Sequence, residues 1–112
     1  MKKYQVMISP RVVEQIQSIR DYIANVDLSP ITAEKLVNAI FDEIESLALF
    51  SERGFNADEK IGTRVDKKGR DSRGIAIQKG KYIVIYSINE TEKVVAVAFL
   101  FSSKTDYAKL FL

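Results

Sequence analysis

The sequence of 112 residues has no cysteine. That excludes a disulfide scaffold, a thiol nucleophile and any thiolate metal site, and it agrees with a reducing compartment. Histidine is absent too, which removes the commonest general base near neutral pH and the commonest metal ligand. Ser-His and Cys-His chemistries are therefore out of reach. No apolar run has the roughly 20 residues a membrane-spanning helix needs; the longest, residues 94–101, is eight. Behind Lys2 and Lys3 no apolar segment of signal-peptide length develops before Ser9, Pro10 and Arg11, so a secretory signal is not expected. Asp42, Glu43 and Glu45 crowd one stretch, but without histidine or a glycine-turned loop they read as a solvated helix face, and no metal is expected. Gly69 and Gly80 do not form a phosphate-cradling spacing, so neither a cofactor nor a small-molecule substrate is expected.

What the sequence does contain is 46% hydrophobic residues, enough to fill one core and too short a chain for two, so residues 1–112 are expected to form a single domain. Charge is unevenly spread. Residues 34–60 hold seven acids and three bases, whereas residues 62–81 hold seven bases and two acids. A basic segment beside an acidic helix suits contact with phosphates or an acidic partner, or simply solvates a loop.

Residues 4–9 are a β-prone run that ends at Ser9-Pro10. Serine, then proline, then a periodic stretch is a helix start, with Ser9 the expected N-cap and Pro10 in the first turn. Val12, Val13, Ile16, Ile19 and Ile23 share one face and predict a helix over residues 10–24. After a turn at 25–28, Ser29-Pro30 repeats the signal, and Leu36, Val37, Ile40, Phe41, Ile44 and Leu47 predict a second helix of nearly five turns. The short connection makes the pair an antiparallel hairpin. Residues 51–72 lose periodicity and predict a loop with a strand near residues 63–66. Three β-periodic runs follow, near 74–78, 82–88 and 94–101, joined by turns at Lys79-Gly80 and residues 89–92. The last run is apolar at every position, which predicts a central strand covered on both faces. The expected class is α+β: an N-terminal strand, an antiparallel helical hairpin, and a mainly antiparallel three-stranded meander with the helices on one face.

Several short motifs recur in order. Val6, Ile8, Ser9 and Pro10 make a Val-x-Ile-Ser-Pro opening, and Ile19, Tyr22 and Ile23 an Ile-x-x-Tyr-Ile ending of the first helix. Ala33, Leu36, Val37, Ile40, Ile44 and Leu47 space the second helix, Leu47, Phe50 and Gly54 follow it with Ser51 in place of proline, Tyr82 and Tyr86 make a Tyr-x-Ile-x-Tyr strand, and Asp106-Tyr107 comes near the end. Over residues 4–107 this order resembles the RelE/ParE superfamily, the toxins of bacterial type II toxin–antitoxin pairs. The resemblance implies a cytoplasmic bacterial toxin, a cognate antitoxin, and a target that is either DNA gyrase or the ribosome with its messenger RNA.

In the RelE-like ribonucleases, basic side chains project from the sheet. The matching positions here are Ile83, Gly74 and Ala76, and near the C-terminus Lys104 stands without an arginine. The resemblance thus favours ParE-like gyrase poisoning, with a ribosome-dependent mRNA endoribonuclease as alternative and a catalytically silent binding module as a third reading. Arg73, Lys104 and Tyr107 are the candidate catalytic residues. Arg64, Lys67, Lys68, Arg70, Arg73, Lys79 and Lys81 are the candidate nucleic-acid or target contacts. Tyr107, Leu110, Phe111 and Leu112 are the candidate antitoxin contacts, because apolar residues at a chain end either dock on their own domain or leave a patch for a partner. Tyr82 and Tyr86, on one side of a strand, are expected to pack.

Overall fold

The computed structural model describes residues 3–26, 29–49, 51–52, 54–62, 65, 71–106 and 109–110. β1 (Gln5–Ile8) leads directly into α1 (Pro10–Val26). Ser9 acts as the cap the sequence suggests, its hydroxyl accepting the Val12 N–H at 3.3 Å. α1 continues through Asn25 and Val26, two residues past its expected end. α2 (Pro30–Glu45) starts differently from expectation: the Ser29 hydroxyl makes no cap bond and donates instead to the Thr32 hydroxyl at 2.7 Å. The last turn of α2 tightens into a 3-10 segment, Ser46–Ala48.

The sheet also contains β2 (Phe55–Asn56), β3 (Ser72–Ile77), β4 (Tyr82–Asn89) and β5 (Val94–Ser102), in the order β1-β5-β4-β3-β2. β1 runs parallel to β5, and the other pairs are antiparallel. The helical hairpin covers one face as expected. Val12 and Ile16 of α1, and Ile40 and Ile44 of α2 with Leu47, bury against Val84, Tyr86, Val95 and Val97. Ile19, Leu36 and Phe41 are half-buried around them.

The unbroken apolar run of β5 has a cause beyond its interior position. Ile85 pairs with Phe99 and Tyr86 with Val97, so Ala98 is an extra residue, a β-bulge. The bulge shifts the side-chain phase, so Val95, Val97 and Leu100 all join the helix-side core while Phe99 and Phe101 join the opposite cluster. α1 compensates the disturbed backbone. Ser9 Oγ donates to the Ala98 carbonyl at 3.3 Å, and the Leu100 N–H donates to Gln15 Oε1 at 3.2 Å.

Residues 51–72 are not one loop. They include β2 and a short helix, α3 (Ala57–Ile61), which buries Ala57 and Ile61 against Ile83 and Ile85 on the face away from the hairpin. Asn56 caps α3 by accepting the Glu59 N–H at 3.0 Å, and Gly62, at φ 92°, ends it. β2 approaches β3 so closely that a Cβ on Gly74 would stand 2.3 Å from the Phe55 ring. The strand expected near 63–66 falls outside the described residues except for Val65, which is not in a strand.

Candidate functional site

The bulge in β5 and the first turns of α1 shape an open groove of about 380 Å³, with Tyr82, Leu100 and Phe101 on the sheet side and Gln15, Ser18 and Ile19 on the helix side. Arg11, Glu14 and Ser102 also line it. The Arg11 guanidinium lies 4.7 Å from the centre of the Phe99 ring, and that ring stacks on Phe101 at 5.6 Å. Burial raises the Tyr82 pKa above 10.0.

Among the described residues, the basic side chains of the 62–81 segment separate in space. Lys79 and Lys81 lie exposed on the turn between β3 and β4, where Gln78, Lys79 and Gly80 all take left-handed backbone. The Gln78 N–H donates to Glu43 Oε1 at 3.0 Å, so Glu43 caps the end of β3 and is more than part of a solvated face. The Ser103 N–H donates to the Lys81 carbonyl at 2.9 Å, which brings the turn carrying Lys104 beside Lys81. One end of the sheet thus gathers Lys79, Lys81 and Lys104, with Arg11 across the groove.

Arg73 is at the other end of β3, about 20 Å from Lys79 at the rise of an extended strand. Its guanidinium donates to the Glu52 carbonyl at 2.8 Å. Tyr86, fully buried, donates its hydroxyl to the Ser51 carbonyl at 2.8 Å, and the Tyr4 N–H donates to the Ala48 carbonyl at 2.8 Å. Two donors from the sheet, and a third from the residue before β1, therefore hold the turn that follows α2. Tyr86 packs, as expected, and Arg73 is committed to the same turn. Nearby, the Tyr4 hydroxyl donates to Glu90 Oε2 at 2.6 Å; this bond, then burial, raises the Tyr4 pKa above 10.0.

Arg64, Lys67, Lys68, Arg70, Tyr107, Phe111 and Leu112 lie outside the described residues. Leu110 is described and 64% exposed. Residues that sequence reasoning missed are Arg11 and Gln15, whose roles arise from the bulge, and Asp58, whose carboxylate accepts the Val65 N–H at 2.9 Å and the Ser72 N–H at 3.1 Å. The Asn-x-x-Glu spacing of Asn56 and Glu59 is a helix-start signature that points to α3 and so to Asp58.

A family model described as the ParE toxin of type II toxin–antitoxin systems, parDE, matches residues 6–107. No curated protein matches the chain. Among solved structures, one described as the chromosomal ParDE toxin–antitoxin system from P. aeruginosa aligns at TM-score 0.67 and 12% identity, over 91% of this chain and 98% of that one. A free-state mutant of E. coli toxin RelE aligns at TM-score 0.48 and 11% identity, over 96% of this chain and 92% of that one. At 12% identity the likeness to the ParDE structure is one of fold.

Proposed function

The chain belongs to the ParE toxin family of type II toxin–antitoxin systems, and we propose that it arrests growth in the bacterial cytoplasm by binding DNA gyrase, without cutting RNA itself. The observation that carries this reading is the chemistry of the sheet face turned away from the hairpin. RNA cleavage needs a base for the 2′-hydroxyl, cations for the phosphorane and an acid for the leaving oxygen, held close together. β3 and β4 present Gly74, Ala76, Ile83 and Ile85 in paired register on that face. Tyr82, at the groove, is a weaker acid than a free phenol because burial raises its pKa. Binding to a protein–DNA machine asks only for complementary surface.

Two surfaces divide the work. The mainly apolar groove along α1, lined by Arg11 and Glu14 and neighboured by Lys81 and Lys104, suits an amphipathic segment of the cognate antitoxin. The tail residues Tyr107, Leu110, Phe111 and Leu112 add to that interface. The basic segment with Arg64, Lys67, Lys68 and Arg70 contacts the target, with Lys79 and Lys81 in support.

The test adds purified protein to DNA gyrase with supercoiled plasmid and, separately, to a cell-free translation reaction. Trapped cleaved DNA with intact messenger RNA is the expected outcome. Ribosome-dependent truncation of messenger RNA would replace the gyrase reading by the endoribonuclease one, and no effect in either would leave a binding module.

A further inference from the structure

Two turns meet at one end of the sheet and gather three cations there. The first joins β3 to β4 and carries Lys79 and Lys81, and the second follows β5 and carries Lys104. Tyr82 pairs with Ser102, and beyond that pair the Ser103 N–H donates to the Lys81 carbonyl at 2.9 Å. The turns therefore lie side by side, about one strand spacing of 4.8 Å apart. Residues 79–81 and 102–105 are all exposed, and none of them is an acid. Arg20, Lys93 and Lys109 each pair with an acid, at 3.4, 3.7 and 3.6 Å, whereas Lys79, Lys81 and Lys104 make no ion pair among the described residues.

Both turns are held by their own backbone. Gln78, Lys79 and Gly80 are left-handed at φ 51°, 57° and 87°, and the Gly80 and Lys81 amides donate back to the Ile77 and Gln78 carbonyls at 3.1 and 3.2 Å. In the second turn the Thr105 N–H donates to the Ser102 carbonyl at 3.0 Å and the Lys104 N–H to Ser102 Oγ at 3.3 Å. Lysines rooted in ordered turns leave less to be ordered when a ligand binds. A Cβ on Gly80 would meet no described atom within 4 Å, so the space over the first turn is open.

The residue types select the ligand. A planar carboxylate is matched by the fork of an arginine, but these two turns offer lysine point charges beside serine and threonine hydroxyls, donors that serve phosphate oxygens without reading sequence. We propose that Lys79, Lys81 and Lys104 form a contact surface for the phosphate backbone of duplex DNA. Its use rests on the gyrase reading above, because it gives the protein a hold of its own on the DNA that gyrase carries.

The full-length protein is compared with K79Q/K81Q/K104Q and with K3Q/K35Q/K93Q, a control that removes the same charge elsewhere. Fluorescence anisotropy follows binding to a labelled duplex of about 20 base pairs between about 50 and 200 mM salt, with an oligoglutamate of matched charge as second probe. Three phosphate contacts correspond to about −2.7 in the slope of log affinity on log salt. K79Q/K81Q/K104Q is expected to flatten the slope by that amount, so the affinity advantage of the unaltered protein shrinks about 40-fold across this range, while the control keeps the parent slope. K104Q alone, expected to flatten it by about 0.9, decides should the triple variant fail to fold.

Equal slopes for the two triple variants, or no duplex binding by the unaltered protein at the lowest salt, would overturn the surface. So would oligoglutamate binding as tight as that of DNA and equally weakened in K79Q/K81Q/K104Q, which would make the corner a contact for an acidic protein. Gyrase cleavage of supercoiled plasmid is titrated alongside. The expected slopes without trapped cleavage would remove the gyrase reading and leave the phosphate surface standing, whereas trapped cleavage with equal slopes would do the reverse.

Discussion

Removing a single oxygen atom, Tyr86→Phe, tests whether the sheet holds the turn after α2. Tyr86 is 0% exposed, and its hydroxyl donates at 2.8 Å to the carbonyl of Ser51, which is itself 3% exposed. The substitution keeps the ring and its packing, so nearly the whole effect is the lost bond and the buried carbonyl deprived of its donor, about 1–3 kcal/mol together. In urea the midpoint should fall with the slope unchanged, and the melting temperature should drop by about 4–13 °C for a chain of this size. Arg73 donates to the next carbonyl, that of Glu52, at 2.8 Å. Arg73→Gln alone should cost less, about 0.5–1.5 kcal/mol, because the contact is exposed to solvent. The two effects should be subadditive by about 0.5 kcal/mol, since a turn released by one donor gives the other less to hold. A Tyr86→Phe protein within about 0.3 kcal/mol of the parent, or strict additivity with Arg73→Gln, would refute the three-donor clamp.

Ile40→Ala, at a position 0% exposed between the hairpin and the sheet, should cost about 2–5 kcal/mol in chemical denaturation; a loss under half of one kcal/mol would mean that the stripe is misassigned. Gly54→Ala should destabilise more than Gly74→Ala. The first combines a φ of 103° with a Cβ 2.4 Å from the Gly74 carbonyl oxygen, whereas the second meets the far end of the Phe55 ring, which can swing aside. Equal melting temperatures for the two variants would contradict this. Tyr4 has its pKa raised above 10.0 in the folded state, so its contribution to stability is fully present below pH 10 and is lost as pH rises through the folded value. Tyr4→Phe should therefore be less stable than the parent near neutrality and flatter above pH 10, and parallel stability curves would count against the Glu90 bond.

The hairpin was legible because its signal is redundant: Val12, Ile16, Ile40 and Ile44 repeat at helical spacing, and two Ser-Pro pairs mark the starts. Only one of those serines caps. Ser29 finds Thr32 three residues on and bonds it, a local competition that periodicity does not register. α3 escaped detection because a helix of five residues has too little pattern, although Asn56, Glu59 and Gly62 spell its two caps. For the candidate site, composition located the basic residues but not their separation. Arg73 and Lys79 are close in sequence, and a strand between them sends one to the turn after α2 and the other to the far end of the sheet. Arg11 and Gln15 gain their roles from an extra residue in β5, and the apolar run that contains Ala98 carries no mark of a bulge.

The parallel pairing of β1 with β5, Gln5 beside Val94 and Ile8 beside Val97, sets an order on how the molecule comes into being. During synthesis α1 and α2 emerge early with Ile16, Ile40 and Ile44 bare, because the strands that cover them are encoded later. Contacts so distant in sequence make folding slow relative to a chain built from neighbours. The first strand has no edge to join, and the groove no wall of Leu100 and Phe101, until the last strand has been translated. The edge that receives β1 and the wall of the groove are thus completed together, in one late step of synthesis.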